Sequence, residues 1–478
     1  MNGLISLGVY IPRYRLQREA IAAALGTGGG RGSRSVASYD EDAASLGVEA
    51  ARKALSGVGH RPERLYFATP APPYLDKSNA AVIAAALGLD RSVFAADFGG
   101  APRSGFGAMV AAAEADAPAL ALLSDLRTGR PGSSDESSGG DAAAALLFGP
   151  GTEEDPVIAR VIAMAATTEE FLERWRAPGA QHSRTWEERF GEHVYGPLAE
   201  ESFTAALKQA NRTPSQVDRL LTSGLATRAV RQFARTSGVR AEAVAADRWN
   251  ELGNCGTAEL GVQLADALAT AGPGELIALV LLADGATTVL LETTEHVTQR
   301  RPDPSVAAQV EAGAPISYAT FLTWRGVLDR EPPRRPEPDG PAAPPAHRSA
   351  AYKHSFQATR CTACGTVNVP PSRVCYSCSQ IDEMAPAPLS TTLGTVVTFT
   401  VDRLAFTPSP PMIAVVVDFD GGGRFRCELA DADPDEVHIG MRVEMSFRRL
   451  LTADGVHNYF WKAKPLRSSQ TNSIEENA

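Results

Sequence analysis

The sequence predicts an α/β protein built from a repeated unit, followed by a metal-holding ribbon and a small antiparallel β-barrel of the OB type. Three observations carry that reading. Short apolar runs at 65–68, 119–123 and 276–282 alternate with longer Ala-rich helical stretches at 79–88 and 105–115, the pattern expected when strands and helices alternate along a sheet. Ala95-Ala96-Asp97, a Gly-rich segment, a helix from about Gly105 and the strand near 120 are echoed by Ala245-Ala246-Asp247, Gly253-Asn254-Cys255-Gly256, a helix to about 271 and the strand 276–282, an offset of about 150 residues. Finally, Cys361-x-x-Cys364 and Cys375-x-x-Cys378 stand ten residues apart, a spacing with which two knuckles can hold one tetrahedral zinc ion.

Thiolates two residues apart across a tight turn can both face one ion at about 2.3 Å, and Cys361-Thr362-Ala363-Cys364-Gly365 supplies the small residues such a turn tolerates. A redox dithiol or two disulfides are the other uses of this pattern, and the absence of any secretory context argues against both. Four thiolates leave no open coordination position. The expected zinc is therefore structural, with Cys361, Cys364, Cys375 and Cys378 as its ligands.

At 478 residues with 44% hydrophobic content, the chain is long enough for two to four compact units. Its 46 basic and 56 acidic residues leave a net charge of −10, which argues against generic binding to nucleic acid or an anionic membrane. The first residues lack a basic n-region, and no apolar stretch of about 20 residues occurs. A cytoplasmic location is expected. Only Cys255 and Cys427 lie outside the knuckles, as suits a reducing compartment.

Residues 330–348 carry seven prolines and read as an extended, semi-rigid connector. Beyond the knuckles, strand-like runs at 394–400, 412–417, 425–429 and 443–447, separated by Gly- and Asp-rich turns, predict the OB-type barrel. The polar tail from Ser468 is expected to be disordered.

The start Gly8-Val9-Tyr10-Ile11-Pro12-Arg13-Tyr14-Arg15, the segment Asp40-Glu41-Asp42 with Gly47-Val48-Glu49-Ala50-Ala51, and Gly253-Asn254 resemble the archaeal-type HMG-CoA synthases of the thiolase superfamily over roughly residues 1–325. Further echoes are Ala96-Asp97-Phe98, Phe171-Leu172-Glu173-Arg174, and Arg189-Phe190 with Gly191-Glu192-His193-Val194-Tyr195. Residues 350–466, with Pro370-Pro371 between the knuckles, resemble the separate zinc-ribbon and OB-fold protein that accompanies thiolases. The resemblance implies a duplicated thiolase-like αβαβα fold, a homodimer, coenzyme A thioester substrates, and a possible thiolase or acyl-carrier partner. The expected domains are thiolase-like halves at 1–165 and 166–328, a Pro-rich linker at 329–350, a zinc ribbon at 351–386, an OB fold at 387–467 and a tail at 468–478.

One departure from the family matters for the chemistry. Members use a Glu, a Cys and a His on the thioester, and alignment sets Pro70, Pro102 and Ser223 at those places. Proline offers neither an ionisable group nor a backbone N–H, so Pro102 can neither take an acyl group nor help form an oxyanion hole. The remaining candidates are Ser104, at a helix start where a serine is more often an N-cap; Cys255, the one thiol of the first domain, though a lone cysteine is usually a small core residue; and Asn254, whose amide matches a family active-site position and would bind a thioester or enolate oxygen. Tyr74, Glu251, His193, Tyr195 and Asp284 lie in or beside segments that the resemblance brings to the cleft. The polar stretch 175–190, with His182 and Arg184, reads as an insertion that caps the cleft or as a dimer contact.

Aldol or retro-aldol chemistry on a CoA thioester suits a site without a nucleophile, because no acyl group has to leave CoA. Two alternatives stand beside it: acyl transfer through Cys255 or Ser104, and a non-catalytic acyl-CoA scaffold for a partner enzyme. In each, the OB domain would help to hold the acyl-CoA.

Overall fold

The computed structural model describes residues 2–26, 29–186, 188–331 and 335–466; the tail expected from Ser468 lies outside these. Two compact units emerge: Met1–Ala37 with Glu49–Ala81 and Arg91–Tyr318, and Ser38–Val48 with Val82–Asp90 and Ala319–Ala478. Among the described residues no helix is long and apolar enough to cross a membrane.

In the first unit a nine-stranded mixed sheet runs edge to edge through Arg219–Gly224, Leu276–Leu282, Ala286–Thr293, Ala159–Thr167, Gly3–Tyr10, Ala142–Gly149, Ala119–Asp125, Arg64–Ala68 and Phe94–Phe98. Its two flanks meet at the single pair Leu4–Ala159. Strand Arg64–Ala68 is parallel to both Phe94–Phe98 and Ala119–Asp125, and Arg219–Gly224 is parallel to Leu276–Leu282. Outside the named strands, Val244 makes a parallel bridge with Leu220. Central strands such as Leu276–Leu282 and Ala142–Gly149 are buried along their whole length, which is why they read as continuous apolar runs rather than alternating ones.

Helices Arg103–Ala113 and Glu259–Leu268 contribute to one core with strand residues from both flanks, including Leu123, Leu146, Leu279 and Val9. A second core packs the long helix Glu188–Gln209 and helix Thr227–Thr236 against Leu220, Ala278 and Leu290.

The second unit holds two small sheets. Val367–Asn368, Gln357–Cys361 and Met384–Pro388 form one; Arg424–Glu428, Met412–Phe419, Gly394–Asp402, Arg442–Ala453 and Val456–Pro465 form the other. Met412–Phe419 buries every second residue, the alternation of a strand with one face on a core. That core is aromatic: Phe356 meets Phe419, Phe425 and Phe460 at 5.1–5.7 Å between ring centroids, and Phe447 stacks on Tyr459 at 5.3 Å.

The Pro-rich connector is not extended throughout. A helical turn, Ala343–Arg348, forms with Pro344 and Pro345 in its first positions, where a missing N–H leaves no hydrogen bond unmade.

Candidate active site and metal centre

A cavity of about 660 Å³ opens in the first unit where strands end. Thr69 and Pro70 follow Arg64–Ala68, Gly99 to Pro102 follow Phe94–Phe98, Leu126 and Arg127 follow Ala119–Asp125, Leu225 follows Arg219–Gly224, and Ala283 and Asp284 follow Leu276–Leu282. Ligands of α/β sheets bind outside the carboxyl ends of the strands. The last wall is the small hairpin of Arg174–Trp175 and Arg184–Thr185, from which Glu173, Arg174, Trp175 and Arg176 reach the cavity. The stretch 175–190 thus contributes directly to the cavity wall.

Pro70 and Pro102 both line the cavity. Pro102 stands at the N-cap of helix Arg103–Ala113 with φ −54°, and its carbonyl accepts from the Gly105 N–H at 3.1 Å. Arg103 then anchors the opposite wall, donating to the Asp284 carbonyl and, at 2.7 Å, to Thr168 Oγ1. Asp284 sits at φ +48°, a left-handed conformation that costs a non-glycine residue of the order of 1–3 kcal/mol and persists only when its surroundings impose it. The Arg176 guanidinium donates to the Pro70 carbonyl and so ties the hairpin to the proline wall.

Tyr195, on the long helix, projects its ring among the lining residues although only 3% of its surface is exposed. Glu173 and Asp284 are its charged neighbours, and Phe171 meets its ring edge-on at 5.9 Å between centroids. Burial first, and then the negative Glu173, push the tyrosine far above its ordinary range, so it stays a neutral donor. Glu173 is itself 7% exposed. Gly191 gives the carboxylate room: a β-carbon there would lie 3.1 Å from Glu173 Oε1.

Of the residues singled out from the sequence, Tyr74 and, with it, Tyr195 and Asp284 line the cavity. The others serve elsewhere among the described contacts. Ser104 Oγ donates to the Gly99 carbonyl, a turn-closing bond at the helix start. Asn254 donates to the Gly224 carbonyl at 3.0 Å and accepts from the Gly256 N–H at 2.8 Å, so both ends of its amide are engaged by backbone. Cys255 is buried in the central core; burial, then the nearby Glu259, push its thiol well up, away from the reactive thiolate. Glu251 pairs with Arg248 at 3.1 Å, and His193 is exposed on the long helix. Sequence reasoning missed Glu173 and Arg127 as wall residues. Arg127 was open to detection, since it comes two residues after the strand Ala119–Asp125.

Among the described residues the four knuckle cysteines form a metal-competent cluster, with sulfur atoms all within 4.8 Å of one another. Cys361 and Cys378 are 3.6 Å apart, as are Cys364 and Cys375. A regular tetrahedron of thiolates at about 2.3 Å from zinc has edges of about 3.8 Å. The donor set fits a closed structural zinc site.

Residues 348–383 match the family described as "ChsH2, rubredoxin-like zinc ribbon domain", and residues 388–448 match "ChsH2, C-terminal OB-fold domain". The hydroxymethylglutaryl-CoA synthase of Pyrobaculum aerophilum is 28% identical over 346 residues, 68% of this chain and 98% of the relative. That of Picrophilus torridus is 28% identical over 358 residues, covering 69% and 98%. Among solved structures, MvaS in complex with 3-hydroxy-3-methylglutaryl coenzyme A superposes with a TM-score of 0.58 at 18% identity, over 68% of this chain and 91% of that one. The first part of the chain is thus similar to hydroxymethylglutaryl-CoA synthases and shares the fold of a solved one. It is followed by a zinc-ribbon and OB-fold region that matches ChsH2-type domains.

Proposed function

We propose that this protein makes or breaks a carbon–carbon bond in a CoA thioester without passing the acyl group to its own side chains. The relatives are CoA-thioester enzymes by name, which supports the substrate class. The observation that carries the mechanism is the cavity wall. Pro70 and Pro102 stand where the resemblance calls for a carboxylate and a thiol, and no cysteine or histidine occurs among the described lining residues. Aldol and retro-aldol steps need an enolate held by donors and a proton shuttle on the partner oxygen, both of which hydrogen-bonding side chains can provide.

The same reading takes the first 328 residues as a duplicated αβαβα fold. Its support is the recurrence of one strand order: Phe94–Phe98, Arg64–Ala68, Ala119–Asp125, Ala142–Gly149, Gly3–Tyr10 on one flank, and Val244, Arg219–Gly224, Leu276–Leu282, Ala286–Thr293, Ala159–Thr167 on the other. A homodimer belongs to it as well. Phe94–Phe98 is an edge strand whose Phe94 is exposed, the kind of edge that a second copy can extend.

The test incubates the purified full chain with acetyl-CoA, 3-hydroxybutyryl-CoA and 3-hydroxy-3-methylglutaryl-CoA, following products and intact protein mass together. The expected result is cleavage of a β-hydroxyacyl-CoA to a shorter acyl-CoA and a carbonyl compound, with the protein mass unchanged. An acyl adduct on Ser104 or Cys255 would overturn the mechanism, and binding without turnover would leave a scaffold.

A further inference from the structure

Resting on that reading, we propose that Arg127 holds the thioester oxygen of the substrate and is the cation against which the enolate forms. A buried ion pair fixes its backbone. The Arg127 N–H donates to Asp141 Oδ1 at 2.9 Å and its carbonyl accepts from Arg34 Nη2 at 2.7 Å, while Arg34 and Asp141 pair at 3.2 Å with both side chains fully buried. The stem lies between two glycines. A β-carbon at Gly139 would come within 2.6 Å of Arg127 Cβ, and one at Gly256 within 3.0 Å of Arg127 Cδ. Thr257, next in the chain, has its Cγ2 2.9 Å from where a β-carbon at Gly105 would lie, which sets the stem beside the first turn of helix Arg103–Ala113. The Arg127 side chain is 10% exposed and belongs to the cavity wall, yet among the described residues it makes no hydrogen bond. Its Nε is buried without a partner, and Asp125 pairs with Nη1 at a loose 3.5 Å. Buried donors left unpaired are rare in folded proteins, and a place built to receive an oxygen anion accounts for this one.

The other groups that could meet a negative oxygen are engaged elsewhere. Lys77 donates to the Ser78 carbonyl at 3.0 Å, Arg174 pairs with Asp135 at 2.5 Å, and Arg176 donates to the Pro70 carbonyl. At the helix start, Pro102 has no N–H, and the Ser104 and Gly105 N–H groups donate to the Ala101 and Pro102 carbonyls at 3.0 and 3.1 Å. The Asn254 amide is taken by Gly224 and Gly256. In the cleavage direction the β-hydroxyl gives its proton to water, the Cα–Cβ bond breaks, and the β-carbon leaves as a carbonyl. The electron pair of the broken bond passes through Cα onto the thioester oxygen, which pairs with Arg127. Water then returns a proton at Cα and the thioester is restored, so protons and electrons balance without a further reactant. A donor already in place where charge develops needs no reorganisation during the step, and the clamped backbone and packed stem give Arg127 that property.

The experiment measures kcat and KM of the full chain on 3-hydroxybutyryl-CoA, whose acyl part is uncharged, and on 3-hydroxy-3-methylglutaryl-CoA, whose acyl part ends in a carboxylate. Wild type is compared with Arg127→Met, Arg127→Ala, and Arg127→Met combined with Asp125→Asn, with melting curves to confirm folding. The combined variant leaves no unpaired carboxylate in the wall to unfold the protein. Removing one donor to a developing oxyanion costs about 10²–10³-fold in kcat. Losses of that size are expected in all three variants on both thioesters, with KM little changed, and millimolar guanidinium should restore part of the rate of Arg127→Ala without speeding wild type. Three results would overturn the role of Arg127 while leaving the proposed reaction standing: wild-type kcat in the folded variants, a loss confined to the carboxylate-bearing thioester and carried by KM, or a loss that tracks the melting temperature and resists guanidinium. A wild-type chain inert on both thioesters would overturn both.

Discussion

Two residues in equivalent places show how local backbone chemistry builds the metal centre. Each knuckle closes with a residue in the left-handed region directly after its second cysteine: Gly365 at φ +77° after Cys364, and Ser379 at φ +61° after Cys378. Each N–H returns to the carbonyl of the first cysteine, at 2.8 and 2.9 Å. Glycine adopts that conformation freely, whereas an L-residue gives up roughly 1–2 kcal/mol. Ser379→Gly should therefore stabilise the ribbon by about 0.5–1 kcal/mol after allowing for the looser unfolded chain. Nothing lies within 4 Å of a β-carbon built at Gly365, so Gly365→Ala should meet only the conformational penalty and cost about 1 kcal/mol. Urea unfolding of the zinc-loaded protein checks both signs. The cysteines were legible because their partners are close in sequence. Glu173 was not, since it joins Tyr195 in the cavity wall only because the packed fold brings a separate helix back to the hairpin.

At the level of elements, the strap Ser38–Val48 is the most telling, since it belongs to the second unit although it sits near the start of the chain. Arg448, fully buried on strand Arg442–Ala453, pairs with Asp40 and Glu41 at 3.1 Å and with Asp431 at 2.5 Å. Lys462, on Val456–Pro465, reaches Asp40 at 2.9 Å and Glu428 at 2.6 Å. The Tyr459 hydroxyl donates to Asp42 at 2.7 Å. Burial alone would raise the Asp40 carboxyl, but Lys462 and Arg448 outweigh it and hold it well below the ordinary range. A carboxylate shifted that way stabilises the fold fully above its unfolded pKa of about 4, and the contribution is withdrawn as pH falls from there toward the folded value. Breaking a buried pair from one side costs about 3 kcal/mol or more. Asp40→Asn should thus be destabilised by about 3 kcal/mol at pH 7, with the gap from wild type narrowing below pH 4, read from urea midpoints across pH. Asp40-Glu41-Asp42 stood out in the sequence only through its resemblance to a family motif. Its partners lie about four hundred residues away, a separation that no local pattern encodes.

For the whole molecule, what the sequence displayed best was whatever repeats or alternates over short distances. Continuous apolar runs marked the buried central strands, strand-like runs between Gly- and Asp-rich turns marked the barrel, and paired knuckles marked the metal. The cavity was harder to see because loops after several different strands assemble it, and proline, a residue without chemistry, marks two of its walls. The same contrast between local and assembled structure governs how stability is distributed. The first unit draws on two large apolar cores, and the barrel has its own aromatic cluster around Phe356 and Phe447. The ribbon has much less: its strands include one of two residues, and two of its four cysteines are exposed. A segment so poor in core depends on its metal, and structural zinc in small domains contributes about 10–16 kcal/mol of apparent binding energy. Removing zinc with a chelator should therefore act locally. Hydrogen exchange followed by mass spectrometry should show protection lost from about 357 to 388, where Gln357–Cys361, Val367–Asn368 and Met384–Pro388 pair, while the strands of the barrel and of the first unit keep theirs. Loss of protection throughout the barrel on chelation would mean that the aromatic cluster cannot stand without the ribbon, and would refute this division of stability.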